Sequence, residues 1–354
     1  MDKKIKRNVA ASSTKAGKSQ KNETSVGGGG STNLFSHFSS AYVDESAPSS
    51  KLSSSSSSAL TRRSIAAPSN SALPNEFQIV FKKMSKKDGI TKYKAICEMR
   101  ELVASNEVEI LKGTLASWCY NFNKIIRYDT DKRNREMAFQ VLTDINKKVT
   151  KEMGPHLKTI FSNWWRSMNE AFSKETAKNA RLSYEASFPN QKQKKVFRAC
   201  YDVLLEDTFD DLTITEISLR EELPHCSDSQ IQEIHERLVA GSLSSLARTI
   251  DFLQEIEADN REPLVAKMLE VLEEQEFLDP KKRDHSFLSF LGSKYRNRTK
   301  TAAMDCLNSL IMNTPEGYFD SSVTTYGPVV LQSLGERDRI LQITLWDKIL
   351  IAFT

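Results

Sequence analysis

From Leu73 onward, apolar residues recur every three or four positions along the chain. Over 91–104 the shared face holds Ala95, Ile96, Met99, Leu102 and Val103. Over 107–128 it holds Val108, Leu111, Leu115, Trp118, Cys119, Phe122 and Ile126. Segment 131–150 places Ala138, Leu142, Ile145 and Val149 together, and 156–172 does so with Leu157, Ile160, Phe161, Trp164, Trp165, Met168 and Phe172. This spacing marks amphipathic helices, and strand-type alternation is absent over any comparable length. Further helices are predicted over 174–187, 190–206, 229–257, 263–278, 301–312 and 336–353, with a long acidic loop between Asp207 and Ser227.

The breaks carry their own chemistry. Asn106 with Glu109, and Ser229 with Gln232, have the spacing of an N-cap and its N3 partner. Gly154-Pro155 ends one helix and presets φ for the next. Pro189, Pro224, Pro263, Pro280, Pro315 and Pro328 fall between periodic runs, where a missing N–H costs least. Pairing 91–104 with 107–128, 131–150 with 156–172, and 174–187 with 190–206 gives units that start about 40 residues apart, the period of HEAT and armadillo repeats. Asp129 to Ala138 also has the Asp, Arg, small-residue order of a HEAT inter-helix turn. The predicted fold is all-α, a HEAT/armadillo-like α-solenoid preceded by a disordered N-terminal tail; a compact helical bundle is the competing architecture, since short connections suit both. The boundaries expected are 1–72 for the tail, 73–206 for the first helical repeats and 207–354 for further repeats. The chain stops at Phe353-Thr354 inside an apolar-periodic helix, so it is expected to be a fragment of a longer protein.

Composition separates the tail from the body. Residues 1–75 are rich in Ser, Ala, Gly and Lys, with a Gly27–Gly30 run and a Ser53–Ser58 run, and bury too little apolar surface to offset ordering. The basic start, Lys3-Lys4-Ile5-Lys6-Arg7, has no apolar stretch behind it and is not a secretory signal. It reads as a nuclear-import patch, an RNA-touching arm or a solvated tail. No apolar run reaches the length of a membrane span, so no membrane is expected.

The formal charge of +4 conceals a strong segregation. Residues 76–204 carry 25 basic against 15 acidic side chains, whereas 205–279 carry 5 against 20. Such opposite-signed regions suggest a polyanionic partner for the basic part. Lys82, Lys83, Lys86, Lys87, Lys92 and Lys94 flank the turn at Asp88-Gly89. Lys132, Arg133 and Arg135 flank the next inter-helix turn. Lys294, Arg296, Arg298 and Lys300 form a third cluster around Tyr295. Successive solenoid turns line up on one edge, so the first two clusters are expected to form one basic ridge suited to an RNA phosphate backbone. Solvated Lys-rich turns are the plain alternative. The candidate contact residues are Lys82, Lys83, Lys86, Lys87, Lys92, Lys132, Arg133 and Arg135.

No catalytic constellation stands out. Cys97, Cys119, Cys200, Cys226 and Cys306 include no C-x-x-C pair, which fits buried thiols in a reducing compartment. His225-Cys226 is the nearest thing to a ligand pair, beside Pro224 in a predicted loop, and reads better as solvent-facing. There is no phosphate-binding glycine loop. The Glu270–Glu276 stretch reads as a solvated helix face or an acidic docking surface. Trp118, Trp164, Trp165 and Trp346 all fall on apolar faces and are assigned to packing.

The block Met84-Ser85-Lys86-Lys87-Asp88, followed by Thr91-Lys92 and Lys94-Ala95, resembles the opening of the folded part of the listerin family. The resemblance continues through Arg133-Asn134-Arg135-Glu136, Gly154-Pro155-His156-Leu157-Lys158, Trp164-Trp165, and the Ala-rich helix from Ala177 to Phe188-Pro189. It covers 76–206 well, thins after about residue 210, and returns at Leu345-Trp346-Asp347. It implies the N-terminal region of a RING-type E3 ubiquitin ligase of ribosome-associated quality control. The implied partners are the large ribosomal subunit through its RNA, the nuclear export mediator factor and the stalled nascent chain, in the cytosol. An E2 would be reached only through the RING, whose eight Cys/His zinc ligands are missing from this sequence. No cofactor is therefore expected in this chain, and it is expected to be inactive alone. A non-enzymatic solenoid adaptor or transport scaffold is the alternative.

Overall fold

A computed structural model of the protein describes residues 67–279, 286–292, 294–315, 323–335 and 337–352. The predicted disordered tail lies outside these residues except for its last few, as do Pro280 and the terminal Phe353-Thr354. The short described part of the tail is tied to the body, where Ser117 Oγ donates to Asn70 Oδ1 at 2.6 Å.

The predicted helices form, and others appear at Asn75–Met84, Glu216–Glu222 and Val323–Gln332. In chain order they are α1 (Asn75–Met84), α2 (Gly89–Ser105), α3 (Val108–Tyr128), α4 (Lys132–Val149), α5 (Leu157–Met168), α6 (Lys174–Ser187) and α7 (Asn190–Leu212). They continue as α8 (Glu216–Glu222), α9 (Asp228–Leu253), α10 (Ala258–Glu274), α11 (Asn297–Asn313), α12 (Val323–Gln332) and α13 (Arg339–Thr344). Helix α2 packs on α4 and α4 on α6, while α3 packs on α5, α5 on α7, and α9 on α7 and α11. Two layers therefore advance along the chain together, which makes the fold a helical solenoid and decides against a closed bundle. Helices α2, α4 and α6 start at Gly89, Lys132 and Lys174, spacings of 43 and 42 residues, inside the range of about 40–47 for HEAT and armadillo units.

Local chemistry sets the helix ends. Asp88, Asp131 and Ser173 each accept a backbone N–H of the helix that follows, satisfying one of its orphan donors. Between the layers, Trp118, Phe122 and Phe139 are fully buried in one step of the core. The next step centres on Trp165, whose ring lies 5.1 Å from Phe197 and 5.3 Å from Phe252, while its N–H donates to Thr249. Trp164 is likewise core, donating to the Ala180 carbonyl.

Several expectations are corrected. Asn106 is no N-cap: it closes α2, its amide donating to the Leu102 carbonyl at 3.0 Å. The capping box at the start of α9 is Ser227 with Gln230, two residues before the one predicted, because the turn after Pro224 is tighter than the sequence suggests. The acidic loop after Asp207 is mostly helical, since Phe209, Leu212 and Leu219 are apolar anchors buried among the acids. Pro263 and Pro328 lie inside α10 and α12, not between helices; both residues are exposed, so water can take the place of the N–H each proline lacks. Trp346 is 60% exposed. A π-turn over Leu345–Ile349 follows α13 and widens the helix, and the buried face is taken by Leu341, Leu345 and Ile349.

Candidate functional site

The two basic turns do come together. The Ser85–Asp88 turn joins α1 to α2, and the Asp129–Asp131 turn joins α3 to α4. Lys92 Nζ, from the first turn of α2, donates to Asp129 Oδ2 at 2.6 Å, and Asn134 donates to the same oxygen at 3.1 Å. Asp129 Oδ1 accepts the Asp131 N–H at 2.9 Å. One carboxylate thus ties successive repeats edge to edge, as the alignment of solenoid turns requires.

Two buried arginines hold the same turn from behind. Arg135 Nη1 donates to the Asp129 carbonyl at 2.7 Å and Nη2 to Glu170 at 3.0 Å. Arg237, on α9 and more than a hundred residues later, donates to the carbonyls of Ile126, Arg127 and Asp129 at 2.8, 2.9 and 3.3 Å. These are the free carbonyls at the C-terminus of α3, where a cation also complements the helix dipole. Burial lowers the Arg237 pKa from its ordinary value, so its place here depends on those acceptors.

The candidate cations therefore separate into different roles. Lys82, Lys86, Lys87 and Lys132 are exposed, and among the described residues they make no ion pair shown by the geometry. Lys83 is paired with Glu98 at 2.7 Å and Lys92 with Asp129. Arg133 grips Asp131 at 2.7 Å, and that hydrogen bond holds the Asp131 carboxyl below the usual carboxylate range. Arg135 is 3% exposed and is removed from the candidate surface. It lies on the inward face of α4 beside Asn134 and Ala138, and its guanidinium is consumed by the turn and by Glu170.

Two of these unpaired lysines, Lys86 and Lys87, border a cleft of about 490 Å³, which Asp129, Asp131 and Glu222 also line. One wall is the Ser85–Gly89 turn with Lys86, Lys87 and Lys92. The floor includes Asn121, Lys124 and Tyr128 of α3, and the far wall is Leu223, His225, Cys226 and Gln230. Burial raises the Cys226 pKa, with Lys92 and Lys87 pulling it the other way. Sequence reasoning missed Lys124, Arg237 and this far wall. Lys124 had the signal of an exposed cation five residues before the turn; Arg237 had none, being a rare base in an acidic stretch.

The third predicted cluster lies mostly at the surface, with Lys300 buried. Arg296 pairs with the buried Glu236 at 3.1 Å, Arg298 lies over the Phe172 ring, Lys294 over the Tyr295 ring, and Lys300 is buried. Tyr295 stacks on His235. Glu270, Glu273 and Glu274 are exposed on α10, a solvated acidic face.

The family model for the N-terminal domain of the E3 ubiquitin-protein ligase listerin matches residues 69–354. The chain is 28% identical over 293 residues to mouse listerin, covering 80% of this chain and 15% of that protein. It is 27% identical over 289 residues to chicken listerin, again covering 80% of this chain and 15% of the relative. The chain thus spans about 15% of the length of these curated relatives. Among solved structures, a designed armadillo repeat protein is similar at 14% identity with a TM-score of 0.35, covering 79% of this chain and 100% of that one.

Proposed function

The chain belongs to the listerin family of E3 ubiquitin-protein ligases, matching its N-terminal domain, and from that premise we propose that it docks the ligase on the large ribosomal subunit. The observation that carries this reading is the set of unpaired lysines, Lys82, Lys86, Lys87 and Lys132, on two solenoid turns locked edge to edge. A cation already committed to a carboxylate gains little from a phosphate. An uncommitted one releases the counterions condensed on RNA and so contributes binding free energy. Lys86 and Lys87 are the foremost contacts, and Lys83, Lys92 and Arg133 act mainly to hold the turns.

In this reading the ribosomal RNA of the large subunit is the primary partner. The nuclear export mediator factor and the stalled nascent chain are met on the same subunit, in the cytosol. The chain positions the ligase; ubiquitin transfer to the nascent chain, through a zinc-bearing RING and its E2, is proposed for the whole protein, and no residue of this chain is assigned to it.

Sedimentation tests this directly. The chain is mixed with isolated large subunits across a salt series and pelleted. Docking predicts co-sedimentation that falls steeply with salt. A chain that stays in the supernatant at low salt refutes docking and leaves a non-enzymatic adaptor as the better reading.

A further inference from the structure

Resting on the docking reading, we propose that the cleft between the Ser85–Gly89 turn and the Glu222–Gln230 segment receives one unstacked nucleotide of a single-stranded RNA loop. Lys86 and Lys87, two of the unpaired lysines, border a concavity. Its volume of about 490 Å³ falls in the range, roughly 300–1,000 Å³, of pockets that enclose small ligands. A duplex backbone is convex and cannot enter it. A splayed nucleotide can, and single-stranded RNA is recognised by such splaying, with bases stacked on aromatic side chains and hydrogen-bonded along their edges.

The lining supplies each part of that recognition. Lys86 and Lys87 on the turn, with Lys124 on the floor, face the phosphate. Tyr128 offers a fixed aromatic ring on the floor, because its hydroxyl is held between Arg127 at 2.9 Å and Glu222 at 2.6 Å. His225 brings a second ring to the same cleft. Gln230 spends its Oε1 on the Ser227 N–H at 2.9 Å, which leaves its Nε2 to donate to a base edge. An acidic peptide would use the lysines but neither the rings nor the amide, so RNA is favoured.

Cys226 lines the cleft and reports on its occupancy, while Cys97, half-buried on α2, does not line it and serves as the internal reference. The full chain is alkylated with iodoacetamide alone, with single-stranded RNA, with duplex RNA of matched length, and with a poly-glutamate peptide, and each site is followed by mass spectrometry. Single-stranded RNA is expected to slow alkylation of Cys226 several-fold while sparing Cys97. His225→Ala is expected to weaken single-stranded binding roughly fivefold or more, the lower end for loss of one base stack, and to leave duplex binding unchanged. Equal protection by the duplex, no protection by either RNA, or stronger protection by poly-glutamate overturns the nucleotide cleft even where ribosome sedimentation persists. Loss of sedimentation with Cys226 protection intact counts against docking and not against the cleft.

Discussion

Arg237→Met is the substitution that most sharply probes how the basic face is built. Methionine keeps the stem and its packing but removes the guanidinium from the end of α3. Three carbonyls, those of Ile126, Arg127 and Asp129, then lose a donor in one step. Each charge-assisted bond is worth roughly 1.5–3 kcal/mol, and a carbonyl left unsatisfied in the interior costs about 1–3 kcal/mol. Against this, a cation that burial opposes is no longer desolvated. Exchanging a whole buried charge network for apolar residues is often neutral, but backbone acceptors cannot be exchanged, so the appropriate comparison is removal of one partner, about 3–5 kcal/mol. Allowing for water reaching the partly buried Arg127 carbonyl, a loss of about 3 kcal/mol is expected, a large share of a typical 5–15 kcal/mol total. Urea unfolding followed by circular dichroism measures it, and hydrogen exchange should show the 129–135 amides opening first. Arg237→Lys, able to serve one carbonyl, should lie between. A change within about 0.5 kcal/mol, the range of an ordinary surface substitution, would refute the idea that this arginine caps α3.

Other outcomes follow from the same geometry. Trp118→Ala should cost about 3–5 kcal/mol as a core truncation, whereas Trp346→Ala, at an exposed position, should stay within about 0.5 kcal/mol in the same urea assay. Arg135→Ala should lower the unfolding midpoint and Lys132→Ala should not, because only the first is buried against Glu170. Acid should destabilise the fold through His235 and His156, whose pKa values burial depresses below the ordinary 6.5. The unfolded chain then binds more protons below pH 6.5, so stability falls as pH drops from there toward the depressed values, by at most about 1.4 kcal/mol per pH unit for each histidine. His235→Gln, which retains a donor for the Ile214 carbonyl, should flatten that slope, and an unchanged slope would exclude His235 as a source.

Much of the architecture is legible in the chain because it rests on short-range spacing. The faces of α2 to α6 recur at three and four, and the pair spacing near 40 residues favours a solenoid, while the choice against a bundle needs the packing of alternate helices. Beyond residue 206 the same reading weakens for a physical reason: Phe209, Leu212 and Leu219 are isolated among acids, so a helical segment has the composition of a loop. Trp346 defeats periodicity because a π-turn adds a residue to its helix turn. At the candidate site, the clusters and their alignment could be read, but the fate of each charge could not. Lys83 is spent on Glu98, fifteen residues away, and Arg135 on Glu170, thirty-five away. These pairings depend on which helices stack, and nothing local distinguishes Arg135 from Lys132. The far wall of the cleft arrives from the α8–α9 connection and the start of α9, about 130–145 residues downstream of Lys86, Lys87 and Lys92, which it faces.

The central claim is that Lys86 and Lys87 dock the chain on ribosomal RNA, and the salt dependence of large-subunit binding in a Lys86→Ala/Lys87→Ala variant tests it most directly. If both lysines meet phosphates, the slope of log affinity against log salt should become shallower by roughly 0.7–0.9 for each lysine removed, with the unfolding midpoint unchanged. A variant that binds large subunits with the native slope and affinity would contradict the account.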